Sequence, residues 1–176
     1  MEIKKIKAAL AAIVIMGLTF TACSGDDGEQ GPAGAPGNAN VQPSNYTVMV
    51  ADWTAGPVLR DTLNVPAVTQ AVVDNGAVHV YQKRTDSTSW EALPFSYIAF
   101  LGGNPATLTF QFGYNVGEVH LSGTNSFNAN VTPGAVYPGD RNFKVVVIPS
   151  TSLIEGIDVN DYEQVKMVYG IEEYDM

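Results

Sequence analysis

The chain has 176 residues, with 18 acidic side chains against nine Lys and Arg, a formal charge of −9 and a single cysteine. This surplus of acid repels nucleic acid and anionic headgroups, so neither is expected as a partner. One thiol excludes an internal disulfide framework, and the folded part must hold together by packing alone.

The chain opens with Lys4, Lys5 and Lys7, followed by an apolar run from Ala8 to Phe20 in which Thr19 is the one clearly polar residue. The run is short for a permanent span and ends in small residues before Cys23, the pattern of a cleaved signal peptide over residues 1–22. Phe20-Thr21-Ala22-Cys23 resembles the lipobox of bacterial lipoproteins, with Phe20 where Leu is usual. That resemblance implies that Cys23 is acylated on sulfur and, after cleavage, on nitrogen. Burial contributes about 0.8 kcal/mol per methylene and one chain anchors only marginally, so several acyl chains (palmitate and the like) on Cys23 suit stable membrane attachment. Losing residues 1–22 removes three of the nine basic and one of the eighteen acidic side chains, leaving six against seventeen and a formal charge of −11.

Residues 23–40 form the next unit. Gly25, Gly28, Gly31, Gly34 and Gly37 keep a three-residue period, and Pro32 and Pro36 lie among them. This is the collagen pattern, in which only glycine fits the triple-helix axis. Five triplets carrying Asp26, Asp27 and Glu29 repel across chains. The tract therefore reads as an extended, monomeric spacer of polyproline-II character, with trimerisation as its alternative. At about 3.1 Å per residue it holds the rest of the chain some tens of ångströms from the lipid. The whole segment, with Gly37-Asn38-Ala39-Asn40-Val41 behind it, resembles small collagen-like lipoproteins of the Bacteroidota. Within that resemblance Ser24, Asp26 and Asp27 are similar to the acidic signal that sends lipoproteins to the outer face of the outer membrane.

About 135 residues remain, residues 41–176, enough for one domain with a sizeable core. Their pattern is mainly β. "SNYTVMVADW" places Tyr46, Val48 and Val50 on one face and Met49, Ala51 and Trp53 on the other. "VPAVTQAVVDNG" supports either a short helix, with Pro66 in its first turn and Asn75-Gly76 as the stop, or a hairpin on Asp74-Asn75-Gly76. "ATLTFQF" alternates, with Leu108, Phe110 and Phe112 inward, and "GEVHLSG" does the same with Val119 and Leu121. The Tyr114–Gly117 step between them reads as a hairpin turn. "FKVVVIP" is apolar on both faces and predicts a central strand covered on each side. In "NDYEQVKMVYG", Asn160 is the expected cap, Glu163 completes a capping box, Gly170 ends the helix, and Tyr162, Val165 and Tyr169 form its buried stripe. The predicted fold is an antiparallel β-sandwich with one or two short helices. The Bacteroidota lipoproteins resemble this part also, in "VPAVTQAVVDNGAVHVYQK", in Trp90 followed by Leu93-Pro94, and in the "VVVIPS" and "DYEQVKMVYG" segments. The resemblance implies fold and location and brings no catalytic residue with it.

Chemistry-bearing motifs are sparse. His79 and His120 are expected on outward faces of strands, as part of a solvated surface rather than a metal pair. Asp158, Asn160, Asp161 and Glu163 offer oxygen ligands without the glycine or spacing of an EF-hand loop, and helix capping accounts for them. Trp53, Trp90 and Tyr97 are the aromatics able to stack on a sugar, and core packing is the default for each. Trp90, behind the polar "KRTDSTS", is the ligand-binding candidate. No nucleophile elbow, metal-ligand cluster, cofactor motif or phosphate loop is present, so an enzyme is not expected, although Asp52 and Asp61 are free to meet in space. The expected function is that of a lipid-anchored envelope or surface module, structural or adhesive. Its alternative is a module binding a glycan or other ligand, and the expected partners are the membrane through Cys23 and a glycan or envelope protein.

Overall fold

The computed structural model describes residues 40–84, 87–136 and 139–172. The predicted signal peptide, Cys23 and the spacer before Asn40 lie outside the described residues. Eight strands run in order as β1 (Gln42–Val48), β2 (Val58–Asn64), β3 (Ala77–Lys83), β4 (Glu91–Ala92), β5 (Phe95–Leu101), β6 (Asn104–Asn115), β7 (Glu118–Asn125) and β8 (Arg141–Ile148). They form two four-stranded antiparallel sheets, β1-β8-β3-β4 and β2-β7-β6-β5. The fold is mainly β, the expected sandwich architecture.

The inner faces meet in one apolar layer. Val48, Val78, Val80, Phe143, Val145 and Val147 come from the first sheet, and Leu59, Leu63, Leu108, Phe110, Val119 and Leu121 from the second. Trp53 sits among them, 4% exposed, its ring 6.1 Å from that of Phe110 and 6.3 Å from that of Phe143. The alternation expected in β6 and β7 holds, because successive side chains of a strand point to opposite faces. The β6–β7 turn is the two-residue Val116-Gly117, with Gly117 at φ 81°.

β8 is buried on both faces. Its Phe143, Val145 and Val147 enter the sandwich. Val146 and Ile148 point the other way and meet Tyr81, Tyr162, Val165, Tyr169 and Ile171 in a second apolar cluster. The C-terminal segment, with a helix at Tyr162–Tyr169 (α2), thus forms a third layer on the first sheet.

Local corrections arise from competing geometry. The β1 alternation ends at Val48. Residues Val50–Asp52 turn as a 3-10 helix, so Met49 is exposed while Trp53 folds back into the core beside Val48. Residues 66–76 resolve to a helix, but it begins at Gln70 (α1, Gln70–Asn75), not at Pro66. Val65–Val68 form a turn tied to the β6–β7 hairpin by Val65 N–H to the Gly117 carbonyl, 2.7 Å, and Gly117 N–H to the Val68 carbonyl, 2.8 Å. Thr69 then caps the helix by accepting from Val72 N–H. In α2 the N-cap is Asp161, which accepts from Gln164 N–H, and not Asn160. Glu163 does not close a capping box and instead lies 3.7 Å from Lys166. Gly170 ends α2 in the left-handed region, as expected.

Gly123 shows how tightly the inner layer is set. It pairs with Phe110 across β6–β7, and a Cβ there would lie 2.3 Å from the Phe110 ring. That ring is boxed in by Trp53 and by Tyr97, whose ring stacks 6.0 Å away. Overpacking a close-packed core costs about 1–3 kcal/mol. Gly123→Ala is therefore expected to lower unfolding free energy by about that amount in urea titration. Gly113→Ala, on the same sheet with open space around the added carbon, should change it by no more than about 0.5 kcal/mol. Equal effects in the two variants would contradict this packing.

Candidate functional site

Two open clefts carry the polar groups of interest. The first lies where the β3–β4 connection meets the start of α2 and has a volume of about 470 Å³. Trp90 and Tyr162 wall it, and Thr88, Ser89, Asp158, Asn160, Asp161 and Glu163 supply polar rim atoms. Trp90 is half-buried, packed on the second apolar cluster, with its ring centroid 5.9 Å from that of Tyr162.

Behind these rings lies Lys144, on the outer-facing register of β8 and only 4% exposed. Its Nζ donates to the Tyr162 hydroxyl at 2.7 Å and stands 4.5 Å from the Trp90 ring centroid and 4.6 Å from that of Tyr162. A buried ammonium is costly unless its donors and charge are met, and aromatic faces supply negative potential. Tyr81 completes this support. Its ring is 4.9 Å from that of Tyr162, and its buried hydroxyl donates to the Val159 carbonyl at 2.8 Å. Burial pushes the Tyr81 phenol well above its ordinary range.

The carboxylates on the rim have folding roles. Asp161 caps α2, and Asp158 accepts from both the backbone N–H and the side-chain amide of Asn160. Gln164 accepts from Asp158 N–H, which ties the loop to the helix. Among the described residues, no group of three or more His, Cys, Asp and Glu is placed to hold a metal ion.

The second cleft, of about 420 Å³, opens beside β1 and β2 and brings together Asp52 and Asp61, with Tyr46, Thr47, Thr62 and Asn64 around them. The two carboxylates that the sequence leaves free to meet do share a site. Asp52 accepts from Met49 N–H at 2.8 Å and Asp61 from Thr62 N–H at 2.8 Å. Burial, and secondarily the charge of Asp52, raise the Asp61 carboxyl above 3.8, against the pull of the Thr62 N–H.

The histidines lie on the outer faces of different sheets. His120 is bracketed by Thr62 Oγ1 at Nδ1, 3.2 Å, and by Asn115 Nδ2 at Nε2, 3.1 Å. His79 is only half-buried in β3 but is not on a solvated face. Its face of the sheet is the one the C-terminal layer covers, and burial lowers its pKa. Of the three stacking candidates, Trp53 and Tyr97 pack in the inter-sheet core, and Trp90 borders the first of these two clefts. Helical spacing assigns Tyr162 to the buried stripe alone. It is buried, yet one wall of the cleft is its ring, which sequence spacing cannot show because Trp90 is 72 positions away. The chain matches none of the family models, curated proteins or solved structures with which it was compared.

The raised Asp61 carboxyl has a measurable consequence. It holds its proton more tightly in the folded state than in the unfolded one. Its contribution to stability is therefore complete below the ordinary value of 3.8 and is lost as pH rises through the raised native value. Asp61→Asn retains an acceptor for Thr62 N–H and removes that loss. Thermal melts across pH should show the variant gaining on wild type as pH rises from below 3.8 toward neutrality. A constant gap would mean that Asp61 titrates alike in both states.

Proposed function

We propose that this chain is a lipid-anchored lipoprotein of the outer membrane, facing the cell exterior through Cys23 and a Gly-x-y spacer. Its β-sandwich then acts as a non-catalytic structural or adhesive module. The observation that supports this best is how the polar groups at the first cleft and behind it are used: Asp158 and Asp161 are spent on the loop and cap of α2, and the buried Lys144 ties α2 to the sheet. Such groups are fixed by folding and present a rigid surface. The leader pattern, the lipobox resemblance and the acidic Ser24-Gly25-Asp26-Asp27 support the location. Among the described residues no helix is long and apolar enough to cross a membrane, so attachment in this reading rests on the lipid.

The test is metabolic labelling with a radioactive fatty acid, joined to protease shaving of intact cells. Wild type should carry label, and its folded domain should be lost to protease while periplasmic controls survive. Cys23→Ser should carry no label and leave the membrane fraction. Persistent labelling of that variant would overturn the anchor, and a protected domain would overturn the outward orientation.

One observation favours a second reading, in which the module binds a glycan. Trp90 offers ring surface on an open cleft whose rim mixes the hydroxyls of Thr88 and Ser89, the amide of Asn160 and carboxylates. Concave sites with an apolar wall and a few convergent polar groups are the common form of small-ligand pockets. On a glycan array, binding in this reading falls at least tenfold in Trp90→Ala, about 1.4 kcal/mol, and less in Asn160→Ala. If wild type retains no glycan, or Trp90→Ala retains it fully, the structural reading stands alone.

A further inference from the structure

The cleft between the β3–β4 connection and α2 sorts its polar atoms by type. Asn160 directs both of its donors at one neighbour: its backbone N–H and its side-chain amide donate to Asp158 Oδ1, at 3.0 and 3.1 Å. Asp161 Oδ1 accepts from Gln164 N–H, and Glu163 lies 3.7 Å from Lys166 on the exposed side of α2. The folding roles of Asp158 and Asp161 thus use one oxygen each. What the α2 bank of the cleft has left over is acceptors: Asp158 Oδ2, Asn160 Oδ1, Asp161 Oδ2 and the Glu163 carboxylate. The β3–β4 bank brings the hydroxyls of Thr88 and Ser89, which both donate and accept, beside the Trp90 ring.

We propose that this cleft takes a sugar carrying a free, protonated amino group, its ring against Trp90 and its ammonium among Asp158, Asp161 and Glu163. The inference rests on the glycan reading of the same cleft and names the sugar class. An ammonium has three donors and no acceptor, the complement of a bank that offers acceptors alone. Hydrogen bonds between ionised partners are also roughly twice as strong as neutral ones. An N-acetylated amine brings a single donor and adds a carbonyl acceptor, and an acidic sugar brings a like charge. Both fit this bank poorly. The volume of about 470 Å³ lies within the range of small-ligand sites, about 300–1,000 Å³.

The nearby cations stay out of the lining. Lys144 lies behind the rings and donates to Tyr162, Lys166 stands beside Glu163, and Lys83 Nζ is 5.7 Å from the Trp90 ring centroid. The start of α2 opposes a cation with about half an elementary charge, against three carboxylates in the lining. Charge and donor count therefore select the same ligand.

A glycan array read with the full chain tests this, each backbone carrying one amino group, free on one spot and N-acetylated on the other. Wild type should bind the free amine about tenfold or more tightly than its acetylated partner. Asp161→Asn keeps an acceptor for the α2 cap and Glu163 is exposed, so Asp161→Asn with Glu163→Gln should melt with wild type. That variant should bring the two spots to near parity while leaving the acetylated one unchanged. Asp52→Asn with Asp61→Asn removes the same charge from the second cleft and should leave the preference intact. Equal or tighter binding of acetylated sugars would overturn this inference and leave the glycan reading standing. So would a preference that survives the first variant, or one that both double variants reduce alike. Binding to no spot would overturn both.

Discussion

Everything in this domain depends on β8 being apolar on both sides. A strand whose two faces are both buried cannot lie on the outside of a two-layer sandwich. Phe143, Val145 and Val147 commit one face to the inter-sheet core, and Val146 and Ile148 then demand a cover of their own. The C-terminal segment meets that demand, and α2 is amphipathic because it has one sheet to seal and one side to leave wet. Tyr162, Val165 and Tyr169 turn inward while Met167 is left exposed. The second sheet faces no such demand, since outside its core-facing rows β6 and β7 present Thr107, Thr109, Gln111, His120 and Ser122.

Lys144 is the exception within that strand, and it explains why a cleft exists. An apolar residue at its position would let the C-terminal layer close on the sheet as an ordinary hydrophobic seam. A buried ammonium instead requires an acceptor and an aromatic shell, and the chain supplies both from distant places, Tyr162 from α2 and Trp90 from the β3–β4 connection. Those rings must stand over the sheet at a set height and angle. The groove between the two segments that carry them is the first cleft. Structural need therefore sets the walls of the cleft, and Trp90 both shelters Lys144 and borders the groove.

Legibility in the sequence tracks the range of the interaction that decides each element. β6, β7 and their turn are readable because alternation and a two-residue turn with Gly117 are local. The two-faced burial of β8 is readable from composition alone. The cap of α2 differs from expectation by one residue because Asn160 and Asp161 are both competent caps, and the choice falls to the loop geometry around Asp158 and Gln164. The spacing of Trp53 fits a strand. The chain leaves β1 instead, since the core offers a slot between Phe110 and Phe143 that no local pattern encodes. The late start of α1 has a similar origin, as Val65 and Val68 are held by Gly117, a partner about fifty residues away.

The candidate site divides along the same line. Trp90 stands out in the sequence because polar residues precede it, and the structure leaves it at a cleft. Asp52 and Asp61 are neighbours only through the fold, since a 3-10 turn carries the first back toward the strand that carries the second. Burial in this cleft, and secondarily the charge of Asp52, raise the cost of ionising Asp61. The groups around it are tied into the fold: Tyr46 donates to the Asn64 carbonyl, Asp52 accepts from Met49 N–H, Asp61 accepts from Thr62 N–H, and the Thr62 hydroxyl pairs with His120. The pair is thus held by the requirements of the β1–β2 corner, and its perturbed acidity is the cost of turning the chain there. In both of these clefts the polar groups are first of all tied into the fold, at the C-terminal layer that covers β8 and at the β1–β2 corner.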